Sequence, residues 1–228
     1  MDVPSDQIAR FVAATAAEPN ALGREMDEYA AEHDFPHVGP EVGGLLRMLA
    51  RMVDAKRVFE FGSGFGYSAY WWAQALPDDG LLVLTEFDAD ELDQAQKFMA
   101  RGGFGDICYY EHGDALDAID DYSGPFDCVL IDHQKHRYAD AFEAVKEKVA
   151  PGGIVVADNA MTAGPIEFET LLALVEGESV TDDGTSVDDA NESTRGVFEY
   201  LEAVRSDDDF ETVVLPIGEG ISVSYRKE

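Results

Sequence analysis

The sequence predicts a doubly wound α/β fold built on a mostly parallel sheet, and two observations carry this prediction. After residue 53, short apolar runs alternate with longer amphipathic stretches, the order expected of βαβ units. The chain has 228 residues, of which 46% are hydrophobic and 11% aromatic, enough to bury a sizeable core. We therefore expect one domain over residues 1–228, with helices on both faces of the sheet.

The individual elements follow from the spacing of the apolar residues. Residues 1–53 are a predicted N-terminal arm, helical from residue 5, in which Leu45, Leu49 and Met52 recur at helical spacing. Residues 54–228 are the predicted α/β core. Its apolar runs predict buried strands at 57–61, 81–86, 107–111, 127–132 and 154–158. The stretches between them predict helices at 66–76, 88–101, 114–120 and 137–149.

The C-terminal part predicts a loop and a hairpin. Residues 177–193 combine low hydrophobicity with several acids, which is typical of a mobile surface loop. Residues 212–215 and 220–225 are two short strands joined by a tight turn at 216–220. We expect them to form an antiparallel hairpin that closes one edge of a seven-stranded sheet.

The net charge is strongly negative. The chain has 47 Asp and Glu residues against 16 Lys and Arg, a formal charge of −31 that is spread along its length. Such a surface repels nucleic acid, anionic lipid and acidic ligands unless a local basic patch opposes it. We interpret the charge as a halophilic adaptation to a salt-rich cytoplasm, where counterions screen the repulsion. Neither a signal peptide nor an apolar membrane span is evident, so we expect a cytoplasmic protein.

A glycine-rich turn follows the first predicted strand. Gly62, Gly64 and Gly66 let the backbone bend sharply and let a ligand approach main-chain N–H groups at the start of the next helix. Glu86 ends the second strand, where a carboxylate can accept hydrogen bonds from both hydroxyls of a ribose. The GxGxG spacing, with no Lys or Arg nearby for phosphate, favours a nucleoside such as S-adenosylmethionine. The alternatives are a tight turn without a ligand and a solvated acid at a strand end.

Asp114 follows the third predicted strand at the same edge of the sheet. Ligands of open α/β sheets collect at this edge, so Asp114 could accept a hydrogen bond from an adenine amino group. It could equally cap the helix that follows, and one residue can do both.

Three oxygen-bearing side chains end the fourth and fifth predicted strands. Asp132 follows one strand, and Asp158 with Asn159 follows the other. Neighbouring parallel strands end about 5 Å apart, so we expect these side chains to converge. Carboxylate and amide oxygens suit a hard divalent cation such as Mg²⁺, and two acids without a cation would raise one pKa. The alternative is two acids that cap separate helices.

Lys135 lies one short turn beyond Asp132. A neighbouring cation lowers the pKa of a lysine toward the range in which it can act as a base, so we predict that Lys135 takes the proton of a substrate hydroxyl. Away from such a site, a loop lysine is ordinarily a solvated charge. We interpret the nearby His133 and His136 as surface residues and assign neither to the metal.

Four motifs together resemble the cation-dependent, S-adenosylmethionine-dependent O-methyltransferases, which include the catechol and caffeoyl-CoA enzymes and small prokaryotic relatives. The motifs are 59–62 with 66–68, then 130–138, 157–159 and 215–220, in the family's order and spacing. The resemblance runs from about Met26 to the C-terminus. It implies a Rossmann-like sheet, a small-molecule substrate and a homodimer.

The resemblance also assigns residues to three parts of a site. Those implied to bind the cofactor are Val38, Glu60 and Ser68 at the methionine end, Glu86 at the ribose, Asp114 and Ala115 at the adenine, and Gly62, Gly64, Gly66 and Asp132 around them. The implied ligands of Mg²⁺, or of Mn²⁺, are Asp132, Asp158 and Asn159, with Lys135 as the general base. The implied substrate residues are Phe35, His37, Lys135 and Asn159.

The implied reaction transfers a methyl group to a hydroxyl of a small catechol-like diol. Two departures concern the substrate. Animal catechol enzymes carry a glutamate near the last hairpin, where this chain reads Thr-Val-Val-Leu at 212–215, and Ala163 replaces a proline beside the metal. A tRNA hydroxyuridine O-methyltransferase with the same chemistry and a catalytically inactive nucleoside-binding module are the alternatives.

Overall fold

The sheet has the predicted seven strands and the predicted C-terminal antiparallel hairpin. The computed structural model describes residues 6–228, so residues 1–5 of the predicted helical arm lie outside the described residues. The strands are β1 (Arg57–Phe61), β2 (Leu81–Glu86), β3 (Cys108–His112), β4 (Phe126–Ile131), β5 (Val149–Ala157), β6 (Phe210–Leu215) and β7 (Ile221–Arg226). Their spatial order is β3-β2-β1-β4-β5-β7-β6. Strands β1 to β5 are parallel, and β7 is antiparallel to both β5 and β6.

Nine α-helices lie in the described part of the chain. They are α1 (Asp6–Thr15), α2 (Ala21–His33), α3 (Gly39–Met52), α4 (Tyr67–Ala73), α5 (Ala89–Gly102), α6 (Ala115–Ala118), α7 (Tyr138–Val145), α8 (Phe168–Glu176) and α9 (Glu192–Ser206). The sequence analysis did not predict α8 and α9, and the last two residues of the segment 177–193, predicted as a loop, belong to α9. That segment connects the two helices, and the side chain of Asn191 caps α9 by accepting a hydrogen bond from the Thr194 amide.

One strand boundary differs clearly from its prediction. The fifth strand starts at Val149, five residues before the predicted start at residue 154. The early part contains Pro151, Gly152 and Gly153, a composition typical of a turn. It joins the sheet because Phe126 of β4 pairs with Val149, after which the register shifts.

The core has two layers, one on each face of the sheet. Alternate residues of β1 point to opposite faces: Val58 packs in the layer of helices α2 to α5, and Phe59 in the layer of α6 to α9. Trp71 and Trp72 of α4 are fully buried in the first layer. Because both faces are covered, the central strands are buried throughout and read as continuous apolar runs, which made them predictable from the sequence.

The order of the strands fixes where a ligand can bind. The chain proceeds outward from β1 to β2 and β3, then returns to place β4 on the other side of β1. The connections therefore diverge above the carboxyl ends of β1 and β4 and leave a crevice there. Within residues 6–228, no helix is long and apolar enough to cross a membrane.

Candidate active site

The turn after β1 lets two strand ends approach closely. Gly62, Gly64 and Gly66 have φ angles of 84°, 50° and 87°, in the left-handed region that favours glycine. At Gly62 a side chain is excluded as well, because an added Cβ would lie 2.6 Å from the carbonyl oxygen of Asp132. Glycine therefore allows the end of β1 to meet the end of β4 at the crevice.

The carboxylate of Glu86 is fixed against this turn. Its Oε2 accepts a hydrogen bond from the Gly64 amide at 2.9 Å. Its Oε1 accepts from the amides of Phe87 and Asp88, at 2.8 and 3.2 Å. A carboxylate has room for further donors on both oxygens, so Glu86 can hold a diol while it stabilises the glycine turn.

Glu60 is a fully buried acid whose carboxylate oxygens have no hydrogen-bond partner among the described residues. Burial raises the pKa of Glu60 to about 8, and the neighbouring Ser68 and Trp72 lower it by less. A buried carboxyl group without a partner is costly unless a ligand completes its hydrogen bonds. The assignment of Glu60 to the methionine end of the cofactor stays a prediction.

Lys135 lies at the centre of a small polar network. Its Nζ donates to Asp132 Oδ1 at 3.0 Å and to the Tyr138 phenolic oxygen at 2.7 Å. The Tyr138 hydroxyl in turn donates to the backbone carbonyl of Asp158 at 3.2 Å. Only 14% of the Lys135 side chain is exposed, so its ammonium group is held rather than solvated. This excludes the alternative of a solvated loop lysine.

Asp158 and Asn159 follow β5 as predicted and lie beside Asp132. Burial and the Asp132 carboxylate raise the pKa of Asp158 to about 8. Asn159 has a φ of 52°, and its Nδ2 donates to Glu219 Oε2 at 2.5 Å, which leaves Oδ1 as the ligand atom of its amide. The two acids and the amide thus converge, with Lys135 as their neighbouring cation.

Two adjacent cavities, of about 450 and 290 Å³, occupy the crevice and share Gly62, Glu86 and Asp132 as lining residues. Most of the predicted site residues line them. The larger cavity is lined by Phe35, His37, Val38, Gly62, Gly64, Ser68, Glu86, Asp132, Lys135, Asp158 and Asn159. The smaller one includes Ala115. Glu60, Gly66 and Asp114 line neither cavity, and their roles stay predictions.

Asp114 has partners of its own. It is the N-cap of α6 and accepts from the Leu116 amide at 2.9 Å, and it forms an ion pair with Arg137 at 2.8 Å. Although burial opposes ionisation, these two partners keep the pKa of Asp114 below its ordinary value. The capping alternative is therefore confirmed, and a contact with adenine stays a prediction.

The interpretation of His133 as a surface residue was wrong. Its ring stacks on Tyr138 at an interplanar angle of 7°, and both ring nitrogens are buried without a partner in the described structure. Burial lowers the pKa of His133 to about 3. The neutral ring lines the smaller cavity, whereas His136 is exposed as expected.

Sequence reasoning missed two acids that line the larger cavity, Glu91 and Glu219. Burial, followed by the neighbouring Glu86 and Asp88, raises the pKa of Glu91 to about 7. Glu219 lies in the turn before β7, which runs antiparallel to β5. Because β7 runs antiparallel to β5, the start of β7 lies beside the end of β5. A prediction of this pairing would have placed Glu219, which precedes β7, beside Asn159, which follows β5.

Over residues 6–228, no group of three or more His, Cys, Asp or Glu side chains is close enough to hold a metal ion. The predicted metal ligands, Asp132, Asp158 and Asn159, include only two such side chains, because the third ligand is an amide. The two acids are opposed by one ammonium group, and burial, followed by the Asp132 carboxylate, raises the pKa of Asp158 to about 8. The residues fit a hard divalent cation.

The strand order, the glycine turn and the polar crevice define an α/β enzyme that binds its ligand above the carboxyl ends of the strands. Comparison with known proteins narrows this class. A family model described as O-methyltransferase matches residues 14–227. The chain belongs to the O-methyltransferase family, whose members use S-adenosylmethionine as methyl donor.

Relatives and solved structures agree with this assignment. A catechol O-methyltransferase of Niastella koreensis is 35% identical over 133 residues, which span 57% of this chain and 60% of that enzyme. Caffeoyl-CoA O-methyltransferase 2 of Zea mays is 25% identical over 97% of this chain and 83% of its own length. The O-methyltransferase TomG of Streptomyces achromogenes, solved with its cofactor, has the same fold, with a TM-score of 0.80, 24% identity and full coverage of both chains.

Proposed function

We propose that the protein is a divalent-cation-dependent O-methyltransferase that transfers the methyl group of S-adenosylmethionine to a hydroxyl of a small catechol-like diol. The contact of Lys135 with Asp132 at 3.0 Å, at the wall of the larger cavity, carries this proposal. Methylation of a hydroxyl requires a proton acceptor near the metal ligands, and this contact supports that role for Lys135. The relatives named as catechol and caffeoyl-CoA enzymes support the same chemistry.

The cofactor is assigned to the crevice between the glycine turn and the end of β2. Val38 and Ser68 line the larger cavity, and Glu60 is a buried acid next to Ser68 that is suited to an amine. Glu86 lies between the two cavities and can hold a ribose. Ala115 lines the smaller cavity, which suits an adenine. The bound cofactor supplies an activated methyl group.

The metal is assigned to Asp132, Asp158 and Asn159. When bound, Mg²⁺ or Mn²⁺ would supply charge that favours ionisation of the acceptor hydroxyl. Among the groups of the chain itself, Lys135 would take the hydroxyl proton in its neutral amine form and become the ammonium, while Tyr138 and Asp132 hold Nζ in place. Phe35 and His37 line the cavity and orient the acceptor beside this nitrogen.

The test is a methylation assay on a panel of catechols and on bulk tRNA, with and without EDTA. Lys135→Ala and Asp158→Ala are expected to lower kcat/KM for a catechol by about 100-fold or more, the lower end of the contribution of a general base. Lys97→Ala and Asp93→Ala are matched controls, because both residues are exposed on α5. They should retain full turnover.

Each alternative has its own outcome in this assay. Turnover that persists in EDTA contradicts the metal role. Turnover on tRNA but not on any catechol replaces the proposal with the RNA enzyme. Cofactor binding by calorimetry, without methylation of any acceptor, supports the inactive nucleoside-binding module.

A further inference from the structure

We propose that Gly164 keeps the mouth of the larger cavity open for a methyl acceptor that carries an apolar, ring-sized group beyond its diol. The inference rests on the proposed function and names the acceptor class of the same site. It concerns the part of the acceptor that is not methylated.

Gly164 differs from every other glycine of the chain in its surroundings. The described residues include all 21 glycines, and Gly164 alone combines a φ outside the left-handed region with no atom within 4 Å of an added Cβ. Gly62, by contrast, needs glycine both for its φ of 84° and for the close approach of Asp132. Neither backbone conformation nor packing requires a glycine at position 164, so the fold has room for a side chain there.

Gly164 lies at the mouth of the larger cavity. We define the mouth by the exposed residues among those that line the cavity, which are Pro36, His37, Gly164, Pro165 and Glu219. Lys135 and the proposed metal ligands line the same cavity but are buried or half-buried. An acceptor larger than one ring, with its reacting hydroxyl at Lys135, would therefore extend past Gly164 toward solvent.

The turn that contains Gly164 is fixed by hydrogen bonds. The Ile166 amide donates to the Ala163 carbonyl oxygen at 2.9 Å. The side-chain amide of Asn191, the N-cap of α9, donates to the Pro165 carbonyl oxygen at 2.8 Å. These bonds tie the turn to the start of α9, so the opening is built into the fold and does not depend on a bound acceptor.

The side chains around the opening favour an apolar group. Phe35 and Pro165 line the cavity from the α2–α3 and β5–α8 connections. The Phe35 ring is held edge-on against Phe65 at a centroid distance of 5.0 Å, so it offers a fixed apolar surface. The acid at the mouth, Glu219, already accepts a hydrogen bond from Asn159. An aromatic ring gains free energy when it leaves water for such surfaces.

The test compares catechol with 4-phenylcatechol, the same diol extended by one uncharged ring. Their Kd values are measured by calorimetry with Mg²⁺ and S-adenosylhomocysteine, and their kcat/KM values with S-adenosylmethionine. We expect the wild type to bind 4-phenylcatechol about tenfold or more tightly than catechol. In Gly164→Leu this ratio should fall about fivefold or more, because the new side chain takes the space of the added ring. Gly164→Ala should lower it less, and the Kd of catechol should not change in either variant.

Gly105→Leu is the matched control, because Gly105 is an exposed glycine outside the cavity whose added Cβ meets Ala100 Cα at an ordinary 3.6 Å. It should leave the ratio unchanged, and thermal melting checks that each variant is folded. Equal Kd values for the two diols in the wild type, or an equal effect of Gly164→Leu on both, would overturn the inference. A preference in Kd without methylation of either diol contradicts the proposed function alone, whereas methylation without a preference contradicts the inference alone. Binding of neither diol contradicts both.

Discussion

The ammonium nitrogen of Lys135 lies 2.7 Å from the phenolic oxygen of Tyr138, which itself donates to the backbone carbonyl of Asp158. This chain of hydrogen bonds links the ends of β4 and β5 through one buried tyrosine. Tyr138 is stacked on His133 and packs edge-on against Tyr200, so its ring has little freedom to move. The position of Lys135 is therefore set by the core of the protein.

The first prediction concerns this tyrosine as a positioning residue. Tyr138→Phe keeps the ring but removes the acceptor of the Lys135 hydrogen bond, so Lys135 should sample orientations away from the substrate. We expect kcat to fall about tenfold with KM nearly unchanged, measured by steady-state kinetics on a catechol. Tyr109→Phe, at an exposed position of β3, is the control. A change in KM alone would show that Tyr138 shapes the binding cavity instead.

The second prediction is a pH dependence that originates at Glu60. Its pKa rises from an ordinary value of 4.5 to about 8 in the folded protein, chiefly because it is buried. Between these two pH values the folded chain holds a proton that the unfolded chain has lost, so the free energy of unfolding falls as the pH rises. The loss should be on the order of 5 kcal/mol in the absence of cofactor.

Denaturant unfolding of the wild type and Glu60→Gln across this pH range isolates the effect. The variant should lose less stability than the wild type between pH 4.5 and pH 8, the window that the two pKa values define. Glu199→Gln, at an exposed position of α9, should follow the wild-type profile. Parallel profiles for the wild type and Glu60→Gln would mean that Glu60 is ionised without a ligand.

The third prediction concerns the contact of α9 with residues 133–137, the segment after β4 that carries Lys135 and is called the Lys135 loop below. An added Cβ at Gly196 would lie 2.4 Å from His136 Cα and 2.5 Å from the Lys135 carbonyl oxygen. Gly196→Ala should therefore displace this loop, at a cost of about 1–3 kcal/mol in stability, and it should also lower kcat.

Thermal melting and kinetics on the same preparation test both parts of this prediction. Gly105→Ala is the control, because the Cβ added there meets Ala100 Cα at an ordinary 3.6 Å. Full activity of Gly196→Ala would show that the loop accommodates the methyl group without moving Lys135.

The fourth prediction follows from the formal charge of −31. Self-repulsion of the acidic surface destabilises the folded chain, and salt screens it over a distance that falls from about 10 Å at 0.1 M to about 3 Å at 1 M. We expect the Tm to rise steeply with KCl over this range, as scanning calorimetry would record. A flat profile would remove the interpretation of the charge as a halophilic adaptation.

The sequence predicted the positions of the glycine turn, Glu86 and Asp132 well because their signals are local. The glycines of the turn, Glu86 and Asp132 each lie directly at the end of a strand that is buried on both faces, and such strands are readable as apolar runs. The convergence of Asp132 with Asp158 followed from the same strands once their order was assumed.

The acceptor side was less predictable because it depends on tertiary contacts. Glu219 meets Asn159 across 60 residues of sequence, and that meeting requires the antiparallel pairing of β7 with β5. Away from the acceptor side, the ion pair of Asp114 with Arg137 also depends on a tertiary contact, because it joins two segments that the sequence does not relate. Helix α9 contains Gly196, and a glycine weakens a helical pattern in the sequence. The structure requires a glycine there because α9 packs closely on the Lys135 loop at this position.

The turn at residues 216–220 has a consequence for how this scaffold can diversify. Glu219 lines the larger cavity from the short turn between β7 and the edge strand β6, whereas the methyl donor is assigned to the opposite half of the sheet. Substitution of a few residues in that turn can change which molecule is methylated, while the half of the sheet assigned to the donor stays unchanged. Selectivity and chemistry can thus evolve on separate parts of one polypeptide.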